Sequence, residues 1–63
     1  MKLYEYVVIY VPKDKEKNKP KIAVDVTRIL AADERTATMI ASRAIPEEYM
    51  DKLDEVEVAV RPF

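Results

Sequence analysis

The groups able to do chemistry in this chain are one serine, a set of carboxylates and a run of lysines; histidine, cysteine and glycine are absent. Nucleophilic catalysis needs a nucleophile held beside a base, and Ser42 has no evident base to work with. Without glycine, a loop that brings backbone amides up to a phosphate cannot be built in the Walker or dinucleotide form. The acids Glu47, Glu48, Asp51, Asp54, Glu55 and Glu57 are oxygen donors of the kind that Ca²⁺ and Mg²⁺ take, but their spacing is not that of an EF-hand loop. They fall on a solvent-facing turn and the outer side of a strand, which is how a solvated acidic surface reads. The expectation is a protein that is not an enzyme, with no catalytic, cofactor or metal site and no small-molecule substrate.

Two other residue sets could bind. Between Lys13 and Lys21 there are five lysines (Lys13, Lys15, Lys17, Lys19 and Lys21) against Asp14 and Glu16, a surplus of three positive charges. Such a segment could contact phosphates through counterion release, although the interleaved acids and the lack of arginine and aromatics favour an ordinary hairpin loop. From Asp33 to Glu57 eight acids stand against Arg35, Arg43 and Lys52, so the C-terminal half is acidic within a net charge of −1. The second set is aromatic: Tyr4, Tyr6 and Tyr10, interleaved with Val8, share one side of an extended segment.

The elements that must position these groups follow from alternation and punctuation. Leu3 to Val11 alternates as a strand, with Leu3, Val7, Ile9 and Val11 on one face and Tyr4, Tyr6, Val8 and Tyr10 on the other, and Pro12 closes it. Lys21 to Leu30 is a second strand, with Ile22, Val24 and Val26 on one face and Ala23, Asp25, Thr27 and Ile29 on the other. Asp33 is an N-cap residue, and a helix from about Glu34 to Ala44 carries Ala37, Ile40, Ala41 and Ala44 at i, i+3, i+4, i+7. Pro46 stops it and opens a short helical turn with Tyr49, Met50 and Leu53. Glu55 to Arg61 alternates as a third strand with Val56, Val58 and Val60 inward.

The fold class is therefore α+β: ββαβ with a short extra helical turn, one domain over 1–63, and a three-stranded antiparallel sheet in the order 2-1-3. One helix packs on one face, expected to be the Val7/Ile9 face. On that arrangement the tyrosines occupy an open apolar sheet face of a kind that monomers seldom leave in water. A protein partner or second copy would cover them; alternatives are the chain's own Tyr49/Met50 turn or Phe63 tail, and base stacking as in RNA-recognition domains.

Size sharpens the point. A chain of 63 residues buries only about 60% of the surface its unfolded form exposes. Without disulfides or a metal, self-association is the remaining common source of stability. The apolar run Val7 to Val11 is too short to span a bilayer and no small-residue cleavage site follows it, so the expectation is a cytoplasmic, unprocessed protein.

The run Leu30-Ala31-Ala32-Asp33-Glu34, the alanine-spaced helix, Ile45-Pro46-Glu47-Glu48-Tyr49 and the close Val56-Glu57-Val58-Ala59-Val60-Arg61-Pro62-Phe63 resemble the ending of small uncharacterised bacteriophage proteins. The element order and Val60-Arg61-Pro62 are also similar to small podoviral inhibitors of host RNA polymerase. This resemblance implies a phage-encoded binder acting in the host cytoplasm. The functional expectation is a non-enzymatic, homo-oligomeric or partner-docking interaction module using Tyr4, Tyr6 and Tyr10. The alternatives are a nucleic-acid-associated protein using the lysine segment, or an inhibitor of a host enzyme such as RNA polymerase.

Overall fold

The computed structural model describes residues 1–14 and 19–63. Lys15 and Lys17 of the lysine segment lie outside them. The chain forms strand β1 (Lys2–Tyr10), strand β2 (Lys21–Ala31), helix α1 (Glu34–Arg43), a pair of 3-10 turns (Glu47–Glu55) broken at Lys52, and strand β3 (Val56–Pro62). The sheet is ordered β2-β1-β3, and β1 is antiparallel to both neighbours. The α+β class, the strand order and the single helix on one face are as the sequence predicts.

Asp33 caps α1 as expected. Its carboxylate accepts from the Thr36 amide at 2.8 Å, and the bond holds that carboxyl below the ordinary aspartate value. Ala37 and Ala41 are completely buried, with Ile40 and Ala44 packed beside them. Small residues on the underside let the helix axis come close to the sheet, so the larger volumes must be supplied by the strands.

The helix does not lie on the Val7/Ile9 face. Tyr4 packs with Ala31 and Ala37, and Tyr6 and Val8 pack with Ala41. The face carrying Tyr4, Tyr6, Val8 and Tyr10 is thus the core, and no open tyrosine surface exists. The reason lies in the charges that pairing brings together. On the tyrosine face Tyr4, Tyr6, Val8 and Tyr10 stand opposite Pro62, Val60, Val58 and Val56 of β3, without a charged residue among them. On the other face, Glu5 stands opposite Arg28 and Arg61, and Ile9 opposite Glu57. Placing α1 there would strip water from Arg28, Glu57 and Arg61, all exposed, a cost of several kcal/mol that no packing of alanines repays.

β2 also departs from simple alternation. Tyr6 pairs with Thr27, but Val8 pairs with Val24 and Ile9 with Ile22. Two extra residues are accommodated, one opposite Val7, where β2 presents both Asp25 and Val26, and one at Ala23. Each bulge changes which side the following residues take. The Thr27 hydroxyl donates to the Asp25 carbonyl at 2.9 Å within the first of them. Val24 therefore turns inward, while Ile22 and Val26 turn outward at 63% and 59% exposure.

With Ala41 fully buried, Ala41→Leu should lift α1 off Tyr6 and Val8 and destabilise the fold by about 1–3 kcal/mol, read from thermal or urea unfolding. Asp33 has a lowered folded-state pKa, so its contribution is complete above the ordinary aspartate value of 3.8 and is lost as the pH falls through the lowered value. Asp33→Asn, which keeps an acceptor oxygen, should remove that segment of the pH dependence of Tm; an unchanged acid limb would contradict the cap's role.

Candidate functional site

With the tyrosines under the helix, the open face of the sheet is the opposite one. Its residues are Leu3, Glu5, Val7 and Ile9 of β1, Ile22, Val26, Arg28 and Leu30 of β2, and Glu57, Ala59 and Arg61 of β3. Phe63 extends it, because its amide donates to the Leu3 carbonyl at 2.9 Å and continues the β3 ladder. Ile22, Val26, Leu30 and Phe63 are each about 60% exposed. No element of the described residues covers them.

Glu5 is the organising group of this face. It is 7% exposed although no helix lies above it. It accepts a charge-assisted hydrogen bond from Arg61 Nε, and Arg28 stands opposite it on the other neighbour. The Arg28 guanidinium lies 4.1 Å from the centroid of Phe63, reaching over β1 to the far strand. Three strands are thus tied across by one row of side chains. Arg61 spends its Nε on Glu5 while its side chain stays 76% exposed, so the end of the guanidinium faces water. Within this face Glu5, Val7, Val26, Ala59 and Arg61 line a depression of ≈ 250 Å³ that runs from the Glu5–Arg61 pair to the Val7–Ala59 pair.

The other candidate groups are distributed differently. Tyr4, Tyr6 and Tyr10 are buried, and Tyr10 meets Tyr49 of the 3-10 turns with ring centroids 5.2 Å apart. The alternative in which the Tyr49 turn covers part of the tyrosine face is therefore the one realised, with α1 covering the rest. Of the lysine segment, Lys13 bonds the Asp54 carboxylate through Nζ and the Glu55 carboxylate through its backbone amide at 2.7 Å. The Asp54 contact raises the Lys13 pKa and lowers that of Asp54. Lys19 and Lys21 are exposed. Among the described residues no group of three or more carboxylates could hold a metal ion, and no helix is long and apolar enough to cross a membrane.

Sequence reasoning missed Glu5, Arg28 and Arg61. The available signal was Glu5 itself, which interrupts the Leu3, Val7, Ile9 alternation and marks that side as the wetter one. Comparison with protein-family models, curated proteins and solved structures found no match.

Arg61→Ala should leave a buried carboxylate without its donor and cost about 1–3 kcal/mol, seen as a lower urea midpoint at constant m. Adding Glu5→Gln should recover part of the loss. A double variant no more stable than the single one would mean that Glu5 is satisfied without Arg61.

Proposed function

We propose that this protein is a non-enzymatic interaction module that associates with a second copy of itself through its open sheet face. The observation that carries this reading is the exposure of Ile22, Val26, Leu30 and Phe63 on one continuous side of a three-stranded sheet. Contiguous apolar area of this kind marks an interaction surface, and a fold whose core among the described residues rests on four tyrosine and valine side chains of β1 and three alanines gains most from covering it. The charges on the face support a neutral, protein-like occupant. Arg28 and Arg61 are balanced by Glu5 and Glu57, whereas a surface for nucleic acid carries a net positive field.

The lysine segment supports the nucleic-acid reading less well, since Lys13 is engaged by Asp54 and Glu55. The resemblance of the C-terminal segment to phage proteins supports a phage-encoded module acting in a host's cytoplasm, and the absence of cysteine fits a reducing compartment. Three strands spaced by ~4.8 Å and running about eight residues at ~3.3 Å give a planar footprint of roughly 400 Å² per copy. That is the class of small, reversible interfaces, so the dimer should dissociate in the micromolar range.

Val26→Lys, at an exposed position, should shift the protein to monomer in sedimentation equilibrium at micromolar concentration without lowering Tm by more than a few degrees. A wild-type protein that stays monomeric over that range, or a Val26→Lys variant that associates equally well, would contradict the reading.

A further inference from the structure

The open face carries a charge pattern that is its own complement. On β3 the outward residues run Glu57, Ala59, Arg61, opposite Ile9, Val7 and Glu5 of β1 respectively. The Glu57 side chain is exposed and its carboxylate makes no hydrogen bond or ion pair among the described residues, and the outer end of Arg61 is exposed beyond its bond to Glu5. The two charges are opposite in sign and equally spaced on either side of Ala59.

We infer that two copies pack face to face about a two-fold axis that runs across the strands through the Val7–Ala59 row, with Arg61 of each copy paired to Glu57 of the other. The pairing presupposes self-association through this face. Rotation about such an axis lays β3 on its own counterpart with the direction reversed. Position 61 then comes over position 57 of the second copy, and position 57 over its position 61. Two identical ion pairs form from one surface, as an isologous contact requires. The row on the axis, Val7 and Ala59, holds no charge and forms one border of the depression, which extends from there toward Glu5 and Arg61. An axis parallel to the strands does the opposite: it lays β2 over β3, bringing Arg28 over Arg61 and Glu5 over Glu5, an arrangement with like charges facing at every ionic position of that row. Aligned sheets rotate by about 30° relative to one another, which long arginine and glutamate side chains can span at positions one row from the centre.

The pairing has a consequence that a merely apolar contact lacks. Reversing one charge makes the surface repel its own copy while making it complementary to a surface reversed at the other position. Because Arg61 also satisfies Glu5, the experiment is done in a Glu5→Gln background, with Glu5→Gln alone as reference and with E5Q/E57R and E5Q/R61E as variants, each checked by circular dichroism and thermal unfolding. Sedimentation equilibrium should show each charge reversal weakening self-association by at least about tenfold. An equimolar mixture should recover the reference constant to within about threefold, as a heterodimer resolved by native mass spectrometry. A mixture no tighter than its separate components overturns the pairing. If E5Q/R61E does not fold, E57R alone decides by salt: the repelling variant should associate better as ionic strength rises while the wild type weakens, and the same trend in both overturns the pairing. Failure here alongside loss of association in Val26→Lys would leave the open face as the self-association surface in another register; an unaffected Val26→Lys would remove the underlying reading as well.

Discussion

The structure depends on where four charges fall. Glu5, Arg28, Arg61 and Glu57 share one side of the sheet, and the desolvation cost of burying the three that stay exposed, Arg28, Arg61 and Glu57, assigns that side to water and the other to the helix. Everything else follows from that choice. The tyrosines supply the bulk that an alanine-lined helix lacks, the bulges of β2 turn Val24 toward that core and Ile22 and Val26 away from it, and the row Arg28, Glu5, Arg61 ties the three strands across the exposed side. A single carboxylate in the central strand, bonded to Arg61 on one neighbour and opposite Arg28 on the other, thus marks inside and outside for the whole domain.

A core this small leaves little margin. Tyr4, Tyr6, Val8 and Tyr10 come from one strand, and the helix contributes only Ala37 and Ala41 to the fully buried set. The interior is built largely by β1, and the elements after it act as cover. The 3-10 turns illustrate this: they bring Tyr49 against Tyr10, and they end at Asp54 and Glu55, which hold Lys13 at the start of the lysine segment. The acidic C-terminal half and the basic segment, separate features of the sequence, meet at that point.

Much of the fold was legible in the sequence. Alternation located all three strands, Asp33 and Pro46 bounded the helix, and the most apolar strand took the centre of the sheet. The facing of the sheet was not legible from β1 alone, because both of its sides are apolar apart from Glu5. Reading the strands as pairs would have shown that Val56, Val58 and Val60 can line up only with Tyr10, Val8 and Tyr6 if Arg61 is to reach Glu5. The bulges in β2 leave no local signature, since Ile22, Val24 and Val26 alternate as well as any regular strand, and their opposite facing depends on pairing with β1. The lysines were visible as a cluster of charge, but the tie from Lys13 to Asp54 spans 41 residues and arises only when the sheet forms.

The molecule is divided in two by its sheet: tyrosines inside, the Val7 and Val26 side outside and, on the proposed function, available to a second copy. Isotope-filtered nuclear Overhauser spectroscopy on an equimolar mixture of labelled and unlabelled protein reads that division directly. It should show intermolecular contacts from the methyl groups of Val7, Ile9 and Val26, with the rings of Tyr4 and Tyr6 giving only intramolecular contacts to Ala37 and Ala41. Intermolecular contacts to those tyrosine rings, or a helix whose alanine methyls meet Val7 and Ile9, would contradict it.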